Sequence, residues 1–434
     1  MSMGTILIIG FAILIFLFLF RMPIAYGMTL IGFLGFAYVV SVQPALSILS
    51  KDFWVMFSSY NLTVVPMFVF MGTVAFYSGI GGRLYDASFK FFGQQRGGLC
   101  MATIVACAGF GAMCGSTIAE TAAMGKVTLP EMKRYNYDVS LATASVAAAG
   151  GLAILIPPST IFIIYGIMTE ESVGKLFAAG ILPGLVLTAL FAITIQILTR
   201  INPALAPRGP KATWKERLVS LYGVIEMLLL FILVMGGLFI GWFTATEAGG
   251  IGAAGALVIG LIRRQLSWRG FLNALADTTR ITAMVFLIVT GATVFGRFIA
   301  VTRVPFELAE WVGGLGVSPN VIMGFIIFGY LIAGAFMDEL AMITLTVPIL
   351  YPVIKSLGFN GIWFGVIIVL VCEMGLICPP VGMNVFVIKG VVPEVSLQTI
   401  YRGIWPFLFA DIVCAILLVI FPQIALFLPS FMTW

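Results

Sequence analysis

The sequence has no histidine and few charged residues. Among 434 residues, His occurs 0 times, and Asp, Glu, Lys and Arg together make up 9%. Without His, the chain lacks the side chain that most often relays protons or binds metals near neutral pH. Ser, Lys and Asp occur, but not at a spacing that predicts a nucleophile with its base, so we expect no enzyme. We also expect no nucleic-acid partner.

Cysteines are few and show no metal-ligand spacing. The 6 cysteines lie within or beside apolar segments. Because free cysteine packs as a small apolar side chain, we interpret them as packing residues. The sequence therefore predicts neither a disulfide framework nor a zinc or redox centre.

Apolar residues dominate the chain. They make up 61% of it and recur in runs of membrane-spanning length, which predicts a multi-pass protein surrounded by membrane lipid. The first run lacks the basic start and the cleavage site of a signal peptide, so we expect a retained helix. We predict about ten spans, at residues 4–20, 24–40, 56–78, 140–166, 176–199, 220–242, 247–262, 278–300, 361–388 and 404–427.

Two further apolar stretches, 97–133 and 319–355, do not match a single span. Each is interrupted at its centre by a small or polar cluster, GFGAMCGSTIAET in one and AGAFMDELA in the other. An arm of about 14 residues rises roughly 21 Å as a helix, which is too short for a hydrocarbon core of about 30 Å. We therefore predict two re-entrant helical hairpins.

Basic residues predict the orientation. All but five of the 23 Lys and Arg residues fall on one face of this topology, and that face should be cytoplasmic. Both termini are then periplasmic, in a cytoplasmic (inner) membrane of a bacterium or archaeon. The five exceptions are Lys51, Lys175, Arg297, Arg303 and Lys355.

The two halves of the chain have the same order of segments. We predict repeat 1 at 1–200, with scaffold helices at 4–78, the hairpin at 97–133 and a broken helix at 140–166. A cytoplasmic connector at 201–219 leads to repeat 2 at 220–434, with scaffold helices at 220–262, the hairpin at 319–355 and a broken helix at 361–388. Because each half has an odd number of spans, the repeats should be inverted, as in secondary transporters. The predicted fold class is an all-α membrane protein with two inverted-topology repeats.

Each predicted broken helix carries a Pro-Pro pair, Pro157–Pro158 in the first and Pro379–Pro380 in the second. Proline has no N–H, so main-chain carbonyls one turn earlier lose their helical donor. Such carbonyls cannot face lipid, and the negative end of a half-helix suits a cation. The alternative interpretation is that each pair only kinks its helix.

The predicted hairpin tips supply polar side chains at matched positions. Aligning Ala112 with Gly334 places Ser116 opposite Asp338. A tip and a broken helix in each half would give two oxygen-lined sites for a hard cation such as Na⁺. A carboxylate in an apolar run is expensive, so Asp338 is predicted to bind the cation or to stabilise its tip.

The motifs GSTIAETAAMGKVTLPEMKR, IPPSTIFIIYG, KLFAAGILPGL and CPPVGMNVFVIKG resemble the large, DctM-like membrane subunit of tripartite ATP-independent periplasmic (TRAP) transporters. The resemblance covers essentially the whole chain. It implies an elevator-type, Na⁺-coupled importer of organic anions in the ion-transporter superfamily. It also implies two partners, a small membrane subunit (Q-type) and a periplasmic substrate-binding protein (P-type). The rival interpretation is a self-sufficient ion-coupled carrier of the same superfamily.

The resemblance also implies cation ligands, largely main-chain oxygens. Relatives often have Ser at positions 112 and 114 and Thr at position 378, whereas this chain has Ala and Cys. Because cysteine is a poor ligand for a hard cation, only carbonyls are expected to act there. The first Na⁺ site would use Ala112, Ser116, Ala153, Ile156 and Pro158, and the second Gly334, Gly375, Cys378 and Val381, with Asp338 added from its position at the tip.

Five residues are predicted to contact the substrate: Arg297, Ser159, Thr160, Asn384 and Glu120. Arg297 lies deep enough in a span to meet an anion, although a structural Arg whose charged end reaches the membrane interface is the alternative. For Glu120, helix capping or packing is the alternative. We also expect Glu373 to support the second break and Asp411 to pair with a basic residue. The sequence leaves the identity of the organic acid open.

Overall fold

A computed structural model describes residues 2–314 and 316–432, and no strand occurs in these ranges. Short 3₁₀ turns at Tyr60–Thr63, Pro203–Leu205 and Pro429–Phe431 join some of the α-helices. The α-helices are α1 Met3–Leu19, α2 Ile24–Val39, α3 Val42–Phe57, α4 Val64–Tyr77, α5 Ile80–Phe92, α6 Gly98–Cys114, α7 Thr117–Arg134, α8 Val139–Leu155, α9 Thr160–Thr169, α10 Val173–Ile201, α11 Trp214–Tyr222, α12 Ile225–Ile240, α13 Ala245–Ile262, α14 Trp268–Thr302, α15 Val304–Gly314, α16 Pro319–Gly334, α17 Glu339–Ser356, α18 Gly361–Ile377, α19 Met383–Val391, α20 Leu397–Ile420 and α21 Gln423–Leu426.

Seven helical segments in the described ranges are long and apolar enough to cross a membrane. Another apolar pair, α11 and α12, is bent by 59° between its two helices. Five further apolar helices, α1, α2, α6, α16 and α18, are 16 or 17 residues long. The chain is therefore a multi-pass membrane protein, and the number of about ten spans stays a prediction.

Helix starts follow local capping chemistry. Thr213 and Thr244 each form a capping box with the Glu three residues later, at the starts of α11 and α13. Asp138 accepts hydrogen bonds from two main-chain N–H groups at the start of α8. These side chains satisfy N–H groups that have no partner inside a helix.

Four helices, α3, α5, α11 and α15, lie mostly outside the predicted spans and hairpins. α3 and α15 each lie beside a helix that was predicted to span the membrane. The helix predicted at 56–78 begins only at Val64 as α4, because residue 57 still belongs to α3. The polar run of Ser58, Ser59 and Asn61 lies between them. The apolar stretch 278–300 is the middle of α14, a helix of 35 residues.

Helices α8 and α18 form the centre of the molecule. Every residue of α8 from Leu141 to Leu155 is buried, and so is every residue of α18 except Ile362. α6 and α7 pack against α8 and against each other, and α16 and α17 pack against α18 in the same way. The chain therefore folds back in the turn at Gly115–Ser116 and in the turn between α16 and α17.

Helices α2, α4, α13 and α14 form a second layer. α2 packs against α14, and α4 packs against both α13 and α14. A Cβ at Gly32 would lie 2.6 Å from the Phe295 main-chain nitrogen, and one at Gly291 would lie 2.6 Å from the Ala25 carbonyl oxygen. Glycine is therefore required for this close helix contact, as is common between membrane helices.

Candidate functional site

A cavity of about 680 Å³ lies between the two layers. One wall comes from α2, α4 and α14, including Tyr26, Thr73 and Tyr77. The other wall comes from the turns where α6 meets α7 and α16 meets α17, and from the starts of α9 and α19. The cavity therefore separates the outer helices from the central ones.

Five helices begin at the cavity wall: α2, whose start at Pro23 and Ile24 lines it, and four helices of the central layer. The lining includes Ser116 before α7, Thr160 of α9, Glu339 of α17 and Met383 of α19, each at the N-terminal end of its helix. A helix N-terminus carries a partial positive charge of about half a unit and unpaired N–H groups. No Lys or Arg is among the described residues that line the cavity. Positive potential for an anion therefore comes from helix ends.

The outer wall presents a polar cluster. Tyr77 Oη donates a hydrogen bond of 2.6 Å to Asp277 Oδ2, and the hydroxyls of Thr73 and Thr278 are 2.9 Å apart. Both contacts join α4 to α14. This wall offers hydroxyl groups to a ligand and holds one carboxylate in place.

We call α6–α9 the first tip-and-break unit and α16–α19 the second. In each unit, the tip is the turn between the first two helices, and the break is the Pro-Pro segment between the last two. In the first, Gly115 forms the turn with φ +60°, and Thr160 Oγ1 donates a hydrogen bond of 3.1 Å to the Gly115 carbonyl. A Cβ at Gly111 would lie 2.8 Å from the Ala153 Cα. The tip therefore lies directly on the broken helix.

The second unit repeats this contact. A Cβ at Gly375 would lie 2.6 Å from the Gly334 Cα. The Gly375 carbonyl accepts a hydrogen bond of 3.3 Å from Cys378 N, so it keeps one helical donor despite the prolines. Tyr401 Oη, on α20, donates to the carbonyls of Pro380 (2.9 Å) and Val381 (2.7 Å). The carbonyl oxygen of Val381, which was predicted as a cation ligand, thus already accepts a hydrogen bond from a hydroxyl group.

The two tips meet each other. Thr117 Oγ1 donates a hydrogen bond of 3.2 Å to Glu339 Oε1, across a sequence separation of 222 residues. The same separation relates Ala112 to Gly334 and Ser116 to Asp338. Glu339 Oε2 is buried without a hydrogen-bond partner. Glu339 is a site residue that the sequence reasoning missed, although the alignment of the repeats already placed it opposite Thr117.

Ser116 and Asp338 both line the cavity and both immediately precede a helix. Asp338 Oδ1 accepts a hydrogen bond of 2.8 Å from Ala341 N, whereas Ser116 makes no side-chain capping bond. Asp338 therefore caps α17 through one oxygen. Cation binding and tip stabilisation both stay predictions for Asp338.

The predicted substrate residues are dispersed. Only Thr160 lines the cavity. Ser159 is buried as the residue before α9, where its side chain accepts a bond from Phe162 N. Glu120 and Asn384 are fully buried behind the tips. A Cβ at Gly111 would lie 2.9 Å from Glu120 Oε2, which places this carboxylate between α7 and α6 rather than in the cavity.

Arg297 lies away from the cavity. Its guanidinium contacts both carboxylate oxygens of Asp52 at 3.4 Å, which joins α14 to α3. The Arg297 side chain is 55% exposed, whereas that of Asp52 is 5% exposed. The structure thus places Arg297 in an ion pair on the outer layer.

The expectation that Asp411 pairs with a basic residue is wrong. Both oxygens of Asp411 are buried without a hydrogen-bond partner, and no ion pair among the described residues includes it. The side chain of Glu373 lies against α8, where a Cβ at Gly151 would be 2.3 Å from the Glu373 Cγ. Neither residue lines the cavity.

Comparison with known proteins agrees with this architecture. Residues 11–424 match the family model described as "Tripartite ATP-independent periplasmic transporter, DctM component". The chain is 34% identical to the C4-dicarboxylate TRAP transporter large permease protein DctM of Pseudomonas aeruginosa, over 86% of this chain and 87% of that protein. It is 32% identical to the sialic acid large permease protein SiaM of Vibrio cholerae, over 86% and 87%.

A further relative and a solved structure extend the comparison. The ectoine/5-hydroxyectoine TRAP transporter large permease protein UehC of Ruegeria pomeroyi is 31% identical over 99% of this chain and 97% of that protein. The YdaH transporter of Alcanivorax borkumensis, known from a crystal structure, has a TM-score of 0.61 at 16% identity, with 88% of each chain covered. This structural likeness concerns the fold alone.

Proposed function

Because the chain belongs to the DctM family of TRAP transporter large permeases, which are not enzymes, we propose that it imports a small organic acid together with Na⁺. The cavity is the proposed substrate site. The two tip-and-break units are the proposed Na⁺ sites. In the complete transporter, a small membrane subunit and a periplasmic substrate-binding protein act with it, and both termini are periplasmic.

The observation that carries this proposal is the composition of the cavity wall. Helix N-termini at the wall can bind carboxylate oxygens, while Asp277, Asp338 and Glu339 add negative charge there and no Lys or Arg among the described lining residues offsets it. An anion entering alone would therefore meet these three carboxylates. Bound cations beside the cavity relieve this repulsion and couple their binding to that of the substrate.

The donor atoms at the tips suit Na⁺. They are hydroxyl, carboxylate and main-chain oxygens, and the buried Glu339 Oε2 has no hydrogen-bond partner. Hard cations prefer such oxygen ligands. Na⁺ held there would neutralise charge between the tips. Ser116, Thr117, Asp338 and Glu339 hold and orient the site, and the close approach of Gly334 and Gly375 fixes its backbone.

The contacts between the halves support two inverted repeats. α2 of the first half packs against α14 of the second, and α13 of the second half packs against α4 of the first. α1 packs against α2, as α12 packs against α13. This exchanged pairing is what a two-fold relation between halves produces. We propose that α2, α4, α13 and α14 form the static scaffold and that the two tip-and-break units move as an elevator.

The relatives suggest the substrate class. They are named for C4-dicarboxylates, sialic acid and ectoine, all small and carrying carboxylate groups. A cavity of about 680 Å³ is in the range of small-molecule sites. We propose a small carboxylic acid, with the hydroxyls of Thr73 and Tyr77 beside its polar groups.

The test is uptake into proteoliposomes that contain this chain with its small subunit, supplied with binding protein and a radiolabelled panel of C4-dicarboxylate, sialic acid and ectoine. We expect uptake of one compound, driven by an inward Na⁺ gradient and absent when K⁺ replaces Na⁺. Undiminished uptake without Na⁺ would overturn the coupling. Full uptake by the chain alone would overturn the partner dependence and favour a self-sufficient carrier.

A further inference from the structure

Behind the tips, α8 has a surface of small residues on which other helices place polar side chains. Asn384 Nδ2, on α19, donates a hydrogen bond of 3.0 Å to the Ala147 carbonyl. One turn further along α8, the Glu373 side chain from α18 covers Gly151. Positions 147 and 151 are four apart, so they lie on the same face of the helix. Glu373 and Asn384 are therefore neighbours along α8.

Asp411 of α20 completes this group. It is fully buried on α20, a helix that packs against both α8 and α18. Three helices that pack against α8 thus carry two buried carboxylates and one buried amide. We call Glu373, Asn384 and Asp411 the α8 polar group.

None of the oxygens in the α8 polar group has a hydrogen-bond partner. Both oxygens of Glu373, both of Asp411 and Oδ1 of Asn384 are buried and unpaired. No ion pair among the described residues includes either carboxylate. Two buried carboxylates in one group without donors are strongly unfavourable unless they are protonated or a positive ion lies between them.

The environment favours a cation of small charge. α19 begins at Met383, so its positive end lies beside Asn384 and offsets part of the negative charge of the two carboxylates, which leaves less charge for a cation to balance. All unpaired atoms are oxygens, and hard cations bind carboxylate and amide oxygens. We propose that the α8 polar group binds one Na⁺, in addition to the two proposed at the tips. This ion would join α8 of the first unit to α18 and α19 of the second.

The experiment measures Na⁺ binding rather than transport. The full chain, purified in lipid nanodiscs, is titrated with ²²Na⁺ and the number of ions bound at saturation is counted. We expect three for the native chain and two for the Glu373→Gln/Asp411→Asn double variant, whose side chains keep their size. Na⁺ should also raise the melting temperature of the variant less than that of the native chain. An equal number of ions in both would show that the carboxyl groups are protonated instead, and would overturn the proposal.

A matched control separates this site from a general effect of buried charge. Glu120 is also fully buried with both oxygens unpaired, but its carboxylate lies against Gly111 of α6 and not in the α8 polar group. Glu120→Gln should leave three ions bound. A loss of one ion in Glu120→Gln as well would count against the α8 polar group as a distinct site.

A second variant keeps the charges and moves the carboxylate. Gly151→Ala places a methyl group where the Glu373 side chain lies, whereas Gly250→Ala adds one where no atom lies within 4 Å. We expect Gly151→Ala to weaken the third ion at least tenfold and Gly250→Ala to have no effect. Equal binding by both variants would overturn the assignment of Glu373.

The outcome is distinguishable from that of the proposed function, on which the choice of Na⁺ rests. Two ions bound by the native chain, with Na⁺-driven uptake intact, would overturn the third site alone. Three ions bound without Na⁺-driven uptake would overturn the coupling and leave the site in place.

Discussion

The first and second tip-and-break units share their backbone arrangement but differ in charge. In each, a tip touches its broken helix at main-chain distance, Gly111 on Ala153 and Gly334 on Gly375. The first unit has Ser116 and Thr117 at the start of its second arm, whereas the second has Asp338 and Glu339. Backbone shape is thus repeated, whereas two adjacent carboxylates at the start of the second arm occur in the second unit only.

The surroundings of the two breaks also differ. Pro157 and Pro158 are buried, whereas Pro380 is exposed and its carbonyl accepts a hydrogen bond from Tyr401. α6 is buried along most of its length, but α16 exposes Phe325, Phe328 and Ile332. The second unit is therefore the less enclosed one. We expect its charge and its Tyr401 contact to make it the more sensitive to substitution.

The largest expected effect is on the backbone contact that both units share. Gly375→Ala brings a methyl group to 2.6 Å from the Gly334 Cα, and main chain cannot move aside as a side chain can. We expect a loss of about 1–3 kcal/mol of stability, typical of overpacking, and no uptake. Thermal melting and uptake check this.

Gly111→Ala and Gly296→Ala complete that experiment. A Cβ at Gly111 meets the Ala153 Cα at 2.8 Å, whereas a Cβ at Gly296 meets nothing within 4 Å. The first should resemble Gly375→Ala and the second the native chain. A harmless Gly375→Ala beside a damaging Gly111→Ala would break the equivalence of the two units.

The next effect concerns the charged tip. Asparagine caps a helix about as well as aspartate, so Asp338→Asn should keep the start of α17 while removing negative charge. We expect a Na⁺ requirement raised at least tenfold, which corresponds to about 1.4 kcal/mol. Uptake measured against Na⁺ concentration checks it.

Ser116→Ala is the matched variant in the first unit. Ser116 makes no capping bond and carries no charge, so its removal should raise the Na⁺ requirement less than Asp338→Asn does. An Asp338→Asn curve that overlays the native curve would show that this carboxylate is structural only.

A smaller effect is expected for the hydroxyl groups at the breaks. Tyr401→Phe removes the hydroxyl that donates to two carbonyls at the second break. Thr160→Val removes the hydroxyl that donates to one carbonyl in the first unit. A neutral hydrogen bond contributes about 0.5–1.5 kcal/mol. Tyr401→Phe should therefore lower the melting temperature more than Thr160→Val, and the reverse order would contradict the account.

The smallest effect on transport is expected at Arg297, which lies outside both units. Arg297→Gln leaves the buried carboxylate of Asp52 without its cationic partner and should cost about 1–3 kcal/mol of stability. The substrate concentration for half-maximal uptake should stay unchanged. A large increase in that concentration would instead place Arg297 in contact with substrate.

Much of the architecture could be predicted from the sequence. Apolar runs located most membrane helices, and the small or polar clusters at Gly115 and Asp338 marked the turns between paired helices within a few residues. The Pro-Pro pairs located both helix breaks, because proline removes a main-chain donor. α3 and α15 were missed because their mixed apolar and polar residues form no continuous apolar run.

Side-chain partners were harder to predict. Arg297 and Asp52 are 245 residues apart, and Tyr401 reaches Val381 from another helix, so nothing local in the sequence pairs them. Glu120 and Asn384 carry polar groups that suggested a substrate role, but both lie on buried faces of their helices behind the tips. The offset of 222 residues in the repeat alignment also pairs Thr117 with Glu339, but neither residue was predicted as part of a site.

The most direct test of Na⁺ binding at both units uses the cysteines of the chain itself. Cys114 and Cys378 lie at the two tip-and-break units and are partly exposed, while the other four cysteines are buried. Alkylation of these two thiols can be followed by mass spectrometry with Na⁺ and with K⁺. The account predicts that Na⁺, unlike K⁺, slows modification of both residues. Modification rates that are the same in Na⁺ and K⁺ at both cysteines would contradict it.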